Sequence, residues 1–258
     1  MRKSLLALGV IAAATAIPAQ AEYLYGFGSM YADYQVWNQG FGNDDDNFGG
    51  DISDRNQAVI GIEGGAGFDW GQIYGFYDYE GVDRATDDRG ASLKGTIHYN
   101  LGETNVSLYA QVYNTDADKG GFHEQNRVVG LGYTGLGGEG WGFTPFIGVH
   151  ELATATAEFG ADTINTGANG GMLGWVGFYN TDIGNQNFTF STWGEYEFGR
   201  NDSYAAVQGG DWGLNGSVNA MWNFHEDFSA GVLYRYTYNK LAREGYQDLV
   251  IYRLQYNF

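Results

Sequence analysis

Strict alternation of apolar and polar residues is the feature that most constrains this chain. From Asp248 to Phe258 one face carries Val250, Tyr252, Leu254, Tyr256 and Phe258, and the other carries Leu249, Ile251, Arg253, Gln255 and Asn257. A period of two is strand geometry, because successive side chains point to opposite faces. The two preceding segments repeat it. Phe228 to Tyr238 sets Val232, Tyr234 and Tyr236 against Ser229, Arg235 and Thr237, and Trp212 to Phe224 sets Leu214, Val218 and Trp222 against Asn215, Ser217 and Asn219. Three successive hairpin-linked strands therefore share one two-faced pattern.

Working towards the N-terminus, the pattern predicts strands near 187–198, 169–180, 141–151, 126–136, 104–114, 91–101, 72–82, 56–68 and 25–37, about twelve in all. Strands 169–180 and 141–151 are the least sharply patterned, since glycine and Pro145 blur their faces. The 42 glycines and 43 aromatic residues (20 Tyr, 16 Phe, 7 Trp) disfavour helices and suit pleated surfaces. Connections alternate in length. Short polar turns fall at 69–71, 101–103, 137–140, 181–186 and 224–226, and longer loops at 38–55, 83–90, 115–125, 152–168, 199–211 and 240–246. Transmembrane barrels alternate in this way, with tight turns on the periplasmic side and long loops outside.

A soluble β-sandwich also alternates, with its apolar face buried. Three features favour a membrane barrel. The polar face is mostly Asn, Ser, Thr, Gln and Gly, with few of the lysines that guard soluble edges. Tyrosine and tryptophan gather towards strand ends, as in interfacial girdles. Phe258 places an aromatic at the end of the apolar face, as in outer-membrane barrels. The N-terminus agrees with export: Arg2 and Lys3, the apolar run Leu5 to Ile17 and then Ala19-Gln20-Ala21 form a secretory signal peptide. The expected organisation is a cleaved segment 1–21 and one barrel domain, 22–258. No other segment approaches the ~20 apolar residues of a membrane helix.

Without cysteine, neither disulfides nor thiolate metal sites are available. Loss of Arg2 and Lys3, with no acid in residues 1–21, takes the formal net charge from -18 to -20. Such a balance repels nucleic acid and favours cations or neutral polar solutes as partners.

Energetics assign the faces. Arg235 and Arg253 lie mid-strand, and an arginine facing lipid at the midplane costs about 2–4 kcal/mol. Parity then turns Gln35, Glu63, Asp78, Glu80, Lys94, His98, Gln111, Glu195 and Glu197 into the lumen with them. Twelve strands about 4.8 Å apart and tilted about 40° give a backbone diameter near ~24 Å and an inner gap of roughly 10–14 Å, less where Trp193 or Arg235 intrudes. The expectation is an all-β, antiparallel up-and-down barrel that passes small molecules.

Several segments resemble the nucleoside-specific channel-forming family of outer-membrane proteins, the Tsx-like channels. They are IYGFYDYEGV (Ile73 to Val82), NRVVGLGY (Asn126 to Tyr133), the run from Asn169 through GWVGFYN (Gly174 to Asn180) to FTFSTWGEYEFG (Phe188 to Gly199), and LQYNF (Leu254 to Phe258). The resemblance spans nearly the whole mature chain. It implies a twelve-stranded monomeric barrel in the Gram-negative outer membrane, with a narrow pore that takes up nucleosides. Position by position, Tyr74, Gly75 and Asp78 carry over. The acidic run Asn43 to Asp46 departs from the family pattern.

The candidate solute path comprises Glu63, Tyr74, Asp78, Glu80, Lys94, Trp193, Glu195, Glu197, Arg235 and Arg253. The acids Asp78, Glu80, Glu195 and Glu197 can form a weakly cation-favouring constriction, or instead pair with Lys94, Arg235 and Arg253 to hold the wall. Tyr74, Phe76 and Trp193 can stack on solute rings, or pack within the wall. Asp44-Asp45-Asp46 and Asp51 lack Ca²⁺-loop spacing and read as a solvated loop, so neither metal nor cofactor is implied. His98, His123, His150 and His225 stand outside any hydrolase motif, although His123-Glu124 and His150-Glu151 fall near the outer rim, where a barrel protease would keep its site. Passive diffusion of small polar solutes is the function expected. A general porin, a closed structural or adhesive barrel and an outer-membrane hydrolase are the alternatives.

Overall fold

Alternation over twelve long stretches produces twelve long strands in the computed structural model, which describes residues 21–43, 51–117, 122–156 and 164–258. The proposed signal segment (apart from Ala21) and Asp44 to Asp46 lie outside the described residues. The strands are β1 (Tyr23–Val36), β2 (Gln57–Phe68), β3 (Gly71–Glu80), β4 (Gly90–Asn100), β5 (Val106–Ala117), β6 (Phe122–Tyr133), a three-residue β7 (Leu136–Gly138), β8 (Trp141–Thr156), β9 (Gly167–Ile183), β10 (Gln186–Phe198), β11 (Trp212–Asn223), β12 (Phe228–Tyr238) and β13 (Tyr246–Asn257). Each long strand pairs antiparallel with its neighbours, β6 pairs with β8 past the short β7, and β1 pairs with β13. The sheet is a closed barrel without an edge.

Two expectations change in detail. The segments with blurred faces are the longest strands, β8 with 16 residues and β9 with 17. Aromatic rings fill the space their glycines leave: Phe146 covers Gly174, Phe143 covers Gly177, and Trp175 covers Gly194 on β10. Such ring-over-glycine packing restores the wall that a missing side chain would open. Pro145 lies past the last β6–β8 pair, Phe146 with Gly132, so its missing N–H costs no ladder bond on that side. The loop expected at 181–186 shrinks accordingly. β9 runs to Ile183, and Gly184, at φ 66°, turns it into β10 within two residues.

The outer face is apolar. Val149 is 71 % exposed and Val129 61 %, values that only a lipid-covered surface tolerates over such an area. At the short-turn rim one chain of ring contacts links Trp222, Phe224, Phe228, Tyr256 and Phe258, and another links Tyr23, Phe68, Trp70 and Tyr99. At the long-loop rim Tyr196 tilts against Trp212, which stacks on Tyr238. These are two aromatic girdles bounding an apolar band.

Inside, two apolar clusters lean on opposite walls. Trp37 and Ile52, from the 37–56 connection, pack with Leu233, Leu249, Ile251 and Met221 of β11–β13. Tyr109, Val128, Phe146 and Met172 fill the β5–β9 side, with Tyr109 and Phe146 stacked at 4.0 Å. Residues 199–211 carry the helix α1 (Asp202–Gln208). Its Tyr204 packs on Leu152 and Ile164 beneath the long-loop rim.

Candidate functional site

Between the two apolar clusters the lumen is lined by polar and charged side chains that the alternation turns inward. Arg253 on β13 lies opposite Asp33 on β1 and holds it through two hydrogen bonds of 2.8 Å. Its third donor reaches Glu63 on β2 at 3.2 Å, and Glu63 also accepts from the Tyr74 hydroxyl at 2.7 Å. The guanidinium lies 3.6 Å from the centre of the Tyr31 ring. A planar fork matched to a carboxylate is the strong form of an ion pair.

Asp78 and Glu80 follow on β3. Asp78 accepts from the Tyr31 hydroxyl at 2.5 Å, and Glu80 accepts from Ser92 at 2.8 Å. Among the described residues no cation is paired with either.

Lys94 and Glu195 form an ion pair between β4 and β10. Those strands stand five places apart around the barrel, through β5, β6, β8 and β9, so the pair crosses the lumen. Gln111 on β5 donates to the same Glu195 oxygen at 2.9 Å. The Lys94 ammonium lies 5.5 Å from the Trp193 ring centre and 5.7 Å from that of Tyr113. Extended Lys and Glu side chains reach about 6 and 5 Å from the backbone. Their meeting therefore draws these two walls well inside the roughly 24 Å of a circular twelve-strand barrel. The gap expected from strand number alone is bridged at this level.

Glu197 lies apart from that path. It is buried under the long-loop rim with Arg200 at 2.9 Å and Lys240 as ion-pair partners. Tyr204 accepts from Lys240 at 3.1 Å and donates to Glu124 on β6 at 3.0 Å. Burial against two carboxylates holds the Tyr204 hydroxyl well above its ordinary range, so it remains a donor. Beneath it, His150 bonds Asn126 at 2.6 Å and Asn169 at 3.3 Å, and Asn169 accepts from the Asn201 backbone N–H at 2.9 Å. The network fastens residues 199–211 over the β6–β10 side of the mouth.

Arg235 bonds Asn215 at 3.3 Å on the β11–β12 wall. Above it Arg55 lies 4.0 Å over the Trp37 ring, and Arg84 donates to the backbone oxygens of Asp54 and Asn56 at 2.8 Å. Burial, with the positive charges of Arg243, Arg84 and Arg235, lowers the Arg55 pKa to about 10, still cationic at neutral pH.

Of the residues selected by parity, Glu63, Tyr74 and Arg253 meet in one cluster, and Lys94, Trp193 and Glu195 in another. Asp78 and Glu80 lie between them on β3. Parity missed Tyr31 and Asp33, although both share the inward face with Gln35. Arg200, Tyr204 and Lys240 come from loops, where alternation carries no signal. The segment NDSYAAVQGG did carry one. Asn201 caps Tyr204 and Gly209 ends the helix at φ 85°, a pattern of N-cap and glycine stop that predicts the helix found there.

A closed antiparallel barrel with an apolar, girdled exterior and a polar, charged lumen defines an integral outer-membrane channel protein. Residues 29–258 match the model of the nucleoside-specific channel-forming protein family, Tsx, and the chain belongs to that family. The fold is similar to that of the NanC porin, with a TM-score of 0.51 at 10 % identity over 90 % of this chain and 98 % of that one. A looser likeness, TM-score 0.38 at 11 % identity over 93 % of this chain and 98 % of the other, is to the outer-membrane channel DcaP of Acinetobacter baumannii.

Proposed function

We propose that the chain is a monomeric passive channel through which nucleosides and similar small polar solutes cross the outer membrane down their gradients. Membership of the family supports the solute class. The observation that carries the reading is the lumen itself: acids and hydroxyls of β2 and β3 (Glu63, Tyr74, Asp78, Glu80) and the rings of Tyr113 on β5 and Trp193 on β10 line a narrowed passage inside an apolar wall. Carboxylates accept from sugar hydroxyls, and ring faces stack on bases. In this reading residues 22–258 form the barrel once 1–21 has been removed, and lipid surrounds it. Two of the histidines serve as wall contacts in this reading: His98 meets Ser107 at 2.9 Å and His150 is held by two asparagines.

The lumen is read as weakly cation-favouring. Asp33, Glu63, Asp78, Glu80 and Glu195 outnumber Lys94, Arg235 and Arg253 along the passage. Single-channel recording of the refolded mature protein, with adenosine and uridine titrated in, tests the reading. Small, cation-preferring openings blocked by nucleosides are the expected result. Openings indifferent to both nucleosides would make it a general porin, and a folded barrel without openings would make it a closed one.

A further inference from the structure

At the level of Lys94 and Glu195 the lumen is crossed by side chains, held together by one ion pair. We propose that Lys94 and Glu195 form a displaceable crossbar that sets the exclusion limit of the channel, and that solute passes by taking the place of the Lys94 ammonium between Trp193 and Tyr113. The proposal rests on the lumen being the solute path.

The geometry supports it in three ways. First, the pair joins opposite walls, so it obstructs the lumen instead of lining it. The ion-paired Arg253, by contrast, joins β13 to its neighbour β1 and to β2 beyond, along one side. Second, the crossbar is anchored at one end only by flexible means. Glu195 is fixed by Gln111, which accepts from Tyr109 at 2.5 Å, and Tyr109 is stacked on Phe146 within the apolar cluster. Lys94 reaches the meeting point on a four-carbon stem with rotatable bonds, and among the described residues Glu195 is its one ion-pair partner. Third, the pair keeps contact with the aqueous lumen, with 13 % and 14 % of the two side chains exposed, so water can re-solvate the ammonium as it swings away.

The site a swinging lysine vacates defines what it admits. Trp193 and Tyr113 offer ring faces, Glu195 accepts from hydroxyl or amino groups, and the displaced ammonium can donate to a solute oxygen. A flat, uncharged ring carrying hydroxyl groups satisfies all of these at once. A saturated sugar oligomer satisfies only the polar ones, and a bulky one cannot pass while the bar stands.

Charge reversal separates the crossbar from a mere field effect. In proteoliposomes, swelling driven by a neutral disaccharide is insensitive to pore charge. Lys94→Glu and Glu195→Lys each place like charges face to face, and both should raise the swelling rate about three-fold or more over wild type. The double variant Lys94→Glu/Glu195→Lys rebuilds the bar in reverse and should return the rate to the wild-type level. Single variants that swell at the wild-type rate, or a double variant as fast as the singles, would overturn the proposal, provided circular dichroism shows each barrel folded. Nucleosides take no part in this readout, so its failure is distinct from failure of nucleoside passage.

Discussion

The two long sides of the lumen are held by different means. On the β13–β1–β2 side, the Asp33–Arg253 ion pair runs between strands that are already hydrogen-bonded partners, so the register that pairs the two residues also brings their charges together. On the β6–β10 side, Glu124 and Glu197 are satisfied by Arg200, Tyr204 and Lys240, which arrive from two loops. One side is locked by the sheet itself. The other is locked by chain that lies outside it, and only the second can be loosened without disturbing strand pairing.

The largest expected effect of that difference is on stability. Arg253→Met leaves Asp33 and Glu63 without their cation, and breaking a buried pair in this way costs about 3–5 kcal/mol. Urea unfolding of the refolded barrel should show that loss. A change under about 1 kcal/mol would mean that the register alone holds the seam.

Next in size is Arg200→Ala. It removes the donors to the backbone oxygens of Gly210, Trp212 and Asn239 as well as the Glu197 partner. Cleavage by an added protease within 199–211 should rise roughly ten-fold, with global stability little changed, as local opening of a loop requires. Equal loss of barrel stability would show that the cap and the wall are one unit.

The smallest effect separates acids that look alike in sequence. Asp78→Asn with Glu80→Gln removes two acids that have no ion-pair partner among the described residues, and should shift the reversal potential in a salt gradient towards anions by several millivolts. Glu197→Gln, under its cap, should shift it less. A larger shift from Glu197→Gln would place the cap within the ion path.

These contrasts also mark how far the sequence could be read. Parity fixed the inward face for Arg253, Glu63, Asp78 and Lys94, because in a closed barrel the two faces meet different solvents and a one-residue slip would reverse every side chain. The same rule placed Glu195 inward, but nothing local to β4 or β10 encodes that Lys94 reaches it. That meeting depends on how far the barrel narrows, a property of the whole ring. Glu197 shows the limit most plainly. Its parity equals that of Glu195, yet its surroundings are set by residues 200, 204 and 240, whose placement follows from the way two loops fold inward.

The fork of Arg253 also bears on the order in which the barrel can come into being. Asp33 and Arg253 are 220 residues apart, and bringing such ends together costs roughly 5 kcal/mol of chain entropy, apart from a constant term. Asp33 on the first strand and Glu63 on the second therefore lack their cation until the last strand is in hand. Arg253 then neutralises both at the moment of closure, on the inner side of the seam, where solvent has the least room. A barrel missing its final strand would carry two unmatched carboxylates along an open edge, so the reaction that ends assembly also removes the state most open to misassembly.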